Sequence, residues 1–366
     1  MDPTSRAVLA QVNRAGRDAV RRSPAHLACA GRAVGVPLKV VDFAGSVGQL
    51  AWAKANGCPG KALTSAIVAL VARGGHLEAP HGAQDHGCPW DGDTCWYAAS
   101  GGHLEVVEWL ITEGVDVNYA TRRAPRGATL LYVAAQNGHL DVVKRLIDAG
   151  AHVDIARTKD GATPVLAAAL NGHLGVVTRL VAAGAEVNIA RTSDGATPLL
   201  AAVLGGHVEV VERLIAVPGV DVNLARNTGF TPLLVAAQHG LVDVVALLLV
   251  APGVDVNLAN NTGATPLYAA AQNGHTGVVA QLTAAPGVDV NQARTDNGAA
   301  PLCITLCYHS HRECRLDVVA LLLAAPGVDV NQARSDGVTP LAIAIARRHA
   351  DVAQMLRAAG ATEPQG

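Results

Sequence analysis

Aromatic side chains are scarce in this chain: Phe, Trp and Tyr together make up 3% of its 366 residues. That excludes a core built around large rings, and the apolar half of the sequence is mainly Ala, Val and Leu, which suits short helices packed closely together. Charge of one sign is lacking as well. With 28 Lys and Arg against 30 Asp and Glu the formal net charge is −2, so no global field draws the chain to nucleic acid or to an anionic membrane. The exception is residues 1–48, where seven Lys and Arg against three Asp leave +4. No apolar run approaches the roughly 20 residues that span a bilayer. The opening MDPTSRAVLAQVNRAGRDAV has no uninterrupted apolar stretch, which predicts no signal peptide. Seven cysteines at irregular spacing fit free thiols better than a disulfide framework. The expected location is the reducing cytoplasm, with the nucleus as the alternative.

Reaction motifs are lacking too. The chain contains no G-x-x-x-x-G-K-S/T phosphate loop, no G-x-S-x-G elbow and no H-E-x-x-H pair. Its carboxylates recur in fixed frames, as at Asp221, Asp255 and Asp289, which marks them as structural. The expectation is a protein without catalysis and without a cofactor.

What is present is repetition. TPVLAAALNGHLGVVTRLVAAGAEVN from Thr163 returns as TPLLAAVLGGHVEVVERLIAVPGVDVN from Thr197, and again from Thr231 and Thr265; the threonines at 129, 163, 197, 231 and 265 are 34 residues apart. A fixed period of this size predicts a solenoid, whatever domain count the length suggests. Thr caps a helix and Pro fits its first position, so Thr-Pro opens a short helix. Asn-Gly-His or Gly-Gly-His ends it, with Gly free to take positive φ. Val-Val-x-x-Leu places an apolar stripe on a second helix, and Val-Asp-Val-Asn leads into an exposed turn. One such pair cannot bury its own apolar face, so the units must stack.

These motifs (G-x-T-P-L, G-H-x-x-V-V-x-x-L-L and G-A/V-D/E-V-N) resemble the ankyrin repeat. The likeness covers eight units: 91–126, 127–160, 161–194, 195–228, 229–262, 263–297, 298–336 and 337–362. It implies an all-α solenoid of helix-turn-helix units with projecting turns or short hairpins, followed by a tail at 363–366. One departure is consistent. The histidine that follows Thr-Pro-Leu in the family is Leu200, Leu234, Tyr268 or Ala342 here, so its hydrogen bond to the Thr is lost and apolar packing is expected instead. The histidines that do recur, His103, His139, His173, His207 and His275, fall between the two helices and are expected to brace that turn. The last unit reads as a cap, with Arg347, Arg348, His349, Gln354 and Arg357 giving it a polar outer face.

The front of the chain is less regular. Residues 86–110 resemble a divergent ankyrin unit in which His-Gly-Cys-Pro-Trp-Asp forms the turn and Thr-Cys opens the helix. An earlier, partly eroded copy lies within 49–90, where Pro80 and Gly82 interrupt the second helix; residues 60–90 are expected to pack least well. Residues 1–48 predict a helical segment. It reads either as a cap on the first repeat or as a degenerate F-box, since an apolar run followed by V-x-R-x-x-R resembles the back half of that motif while its front half is absent.

CITLCYHSHREC, residues 303–314, gathers zinc-type ligands: Cys303, Cys307, His309, His311 and Cys314. The spacing matches no standard zinc motif. Aligned on the repeat, it is the first helix and inter-helix turn of one unit with five extra residues, which predicts an elongated turn with cysteine as a small buried residue.

The candidate partner-binding residues are Arg157, Arg191, Arg226, Arg294 and Arg334, each three residues after the Asp or Asn of the Val-Asp/Asn pair; Asn260 interrupts the row. The corresponding family position is commonly acidic. At a stacking distance of about 10 Å the guanidinium groups would line one edge and suit an acidic peptide or protein surface. The resemblance implies a monomeric scaffold or adaptor that binds a protein through the concave face and turn tips. Two alternatives are a substrate receptor of a cullin-type ubiquitin ligase, docked through residues 1–48, and a zinc-dependent regulator centred on residues 303–314.

Overall fold

A computed structural model of the chain describes residues 92–121, 127–307 and 312–363, with the backbone alone over 312–315. The segment 1–48, the copies at 49–90 and the residues beyond Glu363 lie outside the described residues. The described residues fall into two compact units divided between Lys159 and Asp160. The first holds α1 (Gly92–Gly101), α2 (Leu104–Thr112), α3 (Leu130–Gln136) and α4 (Leu140–Asp148). The second holds α5 (Pro164–Leu170), α6 (Leu174–Ala182), α7 (Pro198–Leu204), α8 (Val208–Ile215), α9 (Pro232–His239), α10 (Val242–Leu249), α11 (Pro266–Asn273), α12 (Thr276–Ala284), α13 (Pro301–Cys307), α14 (Arg312–Ala324), α15 (Pro340–Ala346) and α16 (Ala350–Ala358). Each odd-numbered helix pairs with the one that follows it, and each unit by itself is all-α and built of such pairs.

The first helices are short because their caps and glycines are close together. Thr197 Oγ1 accepts the Leu200 N–H at 3.3 Å, and Thr231 and Thr265 do the same for Leu234 and Tyr268 at 3.1 Å. Three of the four replacements for the family histidine are fully buried: Leu200, Leu234 and Tyr268 are 0% exposed, while Ala342 is half-buried. The hydroxyl keeps its cap while apolar packing takes the place of the missing imidazole. In α7 every residue from Pro198 to Val203 is buried. Such a helix is sandwiched rather than amphipathic, and α7 packs between α5 and α9. The second helices bury one stripe each. Val176, Val177 and Leu180 do so in α6, and Val210, Val211 and Leu214 in α8, at 1% exposure or less. Each such side chain contributes roughly 1.5–3 kcal/mol of apolar burial.

Two expectations need correction. α1 opens at Gly92, two residues before Thr94-Cys95, so Asp93 and Thr94 lie inside it. The buried Asp93 carboxylate accepts hydrogen bonds from Tyr119 and Thr121, both at 2.8 Å, so its neighbours satisfy it within the helix. The extra residues of 298–336 do not all enlarge a turn. α14 begins at Arg312, four positions before Leu316, which corresponds to the first residue of α12, Thr276. The insertion adds about one turn to the second helix.

Candidate functional site

Three of the recurring histidines, His139, His207 and His275, brace the neighbouring repeat and not the turn in which they sit. His207 Nε2 lies 3.1 Å from the Leu170 carbonyl, His275 Nε2 3.0 Å from that of Gln238, and in the first unit His139 Nε2 3.0 Å from that of Ser100. Each carbonyl is at the end of the preceding repeat's first helix, where helical acceptors lack intrahelical donors. The imidazole N–H supplies one. The glycine just past that helix end is shaped by the same ring. Gly172 has φ 76°, and a Cβ there would lie 2.5 Å from His207 Nδ1. In 229–262 the histidine has moved: His239 Nδ1 lies 2.9 Å from its own helix carbonyl at Val235, and Leu241 takes the bracing position.

A second row was not legible as a functional set in the sequence. The asparagine of Val-Asp-Val-Asn staples each turn to the next repeat. Asn223 Oδ1 accepts the Asp255 N–H at 2.9 Å while its Nδ2 donates to the Gly253 carbonyl at 2.7 Å. Asn188, Asn257 and Asn291 make the same pair of bonds. A third link joins the turn tips: the Asn227 N–H donates to Asp194, Thr295 to Thr262 and Ser335 to Asn297. Their regular period was the available signal; the distance to the next repeat was not.

The candidate arginines all sit half-buried at the foot of these turns. Arg157, in the first unit, has its guanidinium 4.8 Å from the Tyr132 ring centroid. In the second unit three of four are held by a carboxylate of their own turn. Arg191 forks onto Asp194 through Nε at 2.9 Å and Nη2 at 2.6 Å. Its hydrogen bonds hold the Asp194 carboxyl below the usual carboxylate range. Arg294 forks onto Asp296, with Nε at 3.0 Å from Oδ1. Arg334 Nη2 lies 3.0 Å from Asp336, and its Nη1 faces the Cys307 sulfur at 3.9 Å. Arg226 differs: its turn is Asn227-Thr228-Gly229, and its guanidinium lies 4.9 Å from the Phe230 ring centroid. The turn tips that carry Arg191, Arg226 and Asn260–Asn261 are hydrogen-bonded in sequence.

Of the cysteine–histidine cluster, Cys303 and Cys307 share α13. Cys303 is 0% exposed, and burial pushes its thiol up to about 11. Its Sγ donates to the Gln332 carbonyl at 3.5 Å. Cys303 is thus a small core residue. His309, His311 and the Cys314 side chain lie outside the described residues. Among the described residues no three His, Cys, Asp or Glu converge in a metal-binding group. No described helix is long and apolar enough to cross a membrane.

Comparison with known proteins agrees with this geometry. A solved ankyrin repeat domain from Acinetobacter baumannii AYE is 31% identical to this chain at a TM-score of 0.51, covering 54% of this chain and 98% of that one. None of the curated proteins matches. The family described as ankyrin repeats (3 copies) matches residues 95–191, 186–260, 249–332 and 267–364. With paired helices, capped Thr-Pro starts and a family match across most of its length, the chain belongs to the ankyrin repeat family.

Proposed function

We propose that the protein is a non-catalytic scaffold or adaptor that holds a partner protein against its turn edge and the solvent-facing ends of its first helices. Ankyrin repeats are commonly protein-interaction modules and typically non-catalytic, and ankyrin repeats are what the comparison finds in this chain. One observation carries the reading. The turns are cross-linked to one another by backbone and asparagine hydrogen bonds, so they present side chains on a frame that is already ordered before binding. Leu170 and Leu204, at the C-terminal ends of α5 and α7, remain 37% and 40% exposed. Arg157, Arg191, Arg226, Arg294 and Arg334 form its basic component and favour an acidic partner surface. The free thiols of Cys95, Cys303 and Cys307 suit a reducing compartment, the cytoplasm or the nucleus.

The test is affinity purification of the full-length protein, of a form lacking residues 1–48, and of a quadruple Arg191→Glu, Arg226→Glu, Arg294→Glu, Arg334→Glu variant, with mass spectrometry of what co-purifies. Shared partners for the first two forms and their loss from the third support the scaffold reading with a basic edge. Ubiquitin-ligase adaptor and cullin subunits recovered with the full-length form alone would instead make residues 1–48 a ligase-docking segment.

A further inference from the structure

Within the second unit the four turn arginines are not equivalent, and the difference selects one position. Arg191, Arg294 and Arg334 each spend their guanidinium on an aspartate of the same turn. The turn of Arg226 carries Asn227 and Thr228 where the others carry a carboxylate, and the next turn is equally neutral, with Asn260 and Asn261. Asp194 in the preceding turn is close enough to feel the Arg226 charge, but its oxygens are occupied by Arg191. The Arg226 guanidinium makes no hydrogen bond to any described residue, and its Nε is shut off from solvent.

Phe230 explains how that cation is held. The residue before the capping Thr is Ala128, Ala162, Ala196, Ala264 or Val338 in other repeats, and Phe only here. The ring lies against the guanidinium at 4.9 Å from centroid to Cζ. Stacking engages the face of the guanidinium and leaves its in-plane N–H donors unused. With Nε enclosed, the two Nη groups remain for an end-on fork. The backbone beneath is closed by Arg226 N–H to the Phe230 carbonyl at 3.1 Å. It is tied to both neighbours, by Asn227 N–H to Asp194 at 2.8 Å and Asn261 N–H to Thr228 at 3.3 Å. The cation is thus pre-positioned, and little ordering remains for a partner to impose.

We infer that the Arg226–Phe230 turn is the anchor of the partner surface and takes a carboxylate side chain from an acidic peptide segment. This rests on the reading of the turn edge as the partner-binding side. A single accessible guanidinium matches a planar carboxylate by a bidentate pair; phosphorylated segments are taken by clusters of arginine, and the neighbouring arginines here are already paired. Phe230 adds an apolar surface at which an aliphatic or aromatic neighbour of that Asp or Glu can pack.

The test uses the full-length chain and a displayed library of random linear peptides as the probe. Selected peptides are resynthesised with and without Glu→Gln or Asp→Asn replacement. Affinities are measured against wild type, Arg226→Gln, Phe230→Ala and the triple Arg191→Gln, Arg294→Gln, Arg334→Gln variant, each checked for an unchanged urea midpoint. The expected result is enrichment of Asp- or Glu-bearing peptides whose affinity falls about tenfold or more with Arg226→Gln, and as much with the amide peptide. The fall with Phe230→Ala is smaller, and the triple variant has little effect. Acidic peptides that lose affinity in the triple variant but not in Arg226→Gln overturn the anchor while sparing the basic edge. Peptides without acidic residues, or insensitive to all the variants, overturn both.

Discussion

Gly172 and Arg348 occupy the same place in their repeats, between the first helix and the second, and both hold left-handed backbone, at φ 76° and 59°. The neighbourhoods differ. Above Gly172 the next repeat brings His207, whose ring an added Cβ would meet at 2.5 Å. The described residues hold no counterpart of His207 beyond Arg348, which is exposed. Left-handed backbone is therefore a demand of the repeat on itself, which a non-glycine residue can meet at a modest cost. The absence of a Cβ is a demand of the repeat that follows. A solenoid places its strictest sequence constraints at the interfaces between units.

The comparison can be broken most severely at Gly172. Gly172→Ala combines an unfavourable φ with a contact that displaces His207 from the Leu170 carbonyl, and is expected to cost about 2–3 kcal/mol, read as a fall in the urea midpoint of the full-length chain. The same substitution made with His207→Ala should cost only about 1 kcal/mol more than His207→Ala alone, because the ring it strikes is gone. Strict additivity in that double-mutant cycle would show that the ring is not what excludes a side chain.

Smaller effects sharpen the contrast from the other direction. Leu241 stands where His207 and His275 brace their neighbours, and a Cβ added at Gly206 would meet nothing within 4 Å. Leu241→His should restore the missing bond to the end of α7 and raise stability by about 0.5–1 kcal/mol. A lower urea midpoint would mean that leucine contributes more there than the brace. At the other end, Arg348→Gly should gain about 0.5 kcal/mol by relieving the left-handed strain, visible as a slightly higher thermal midpoint. A loss would show that the exposed Arg348 side chain makes a contribution larger than its backbone cost.

The same distinction between a unit and its neighbour separates what could be read early from what could not. Thr197 and Pro198 announce a helix start because cap and φ preference are local to those residues. The Val210–Val211–Leu214 stripe announces a buried face because helical period is local too. His207 is legible as structural from its recurrence, but nothing local places it 3.1 Å from Leu170 in the preceding repeat. The five extra residues of 298–336 were visible as a length, but whether they swell a turn or lengthen a helix depends on packing against α12 and α16.

For the candidate site the division is sharper. The amino-acid sequence by itself determined the period, the helix pairs, the caps, the aliphatic core and the family, all of which follow from spacing and side-chain type along one chain. The row of arginines could be read from it as well. Only the tertiary structure decided which of those cations are already answered. Whether a guanidinium forks onto an aspartate or lies on a ring depends on the path the turn takes in three dimensions. Arg191 and Arg226 hold the same register position, yet one is closed by Asp194 and the other rests on Phe230 with its Nη groups open. Charge is a property of the residue, but whether it is available to a partner is a property of the fold.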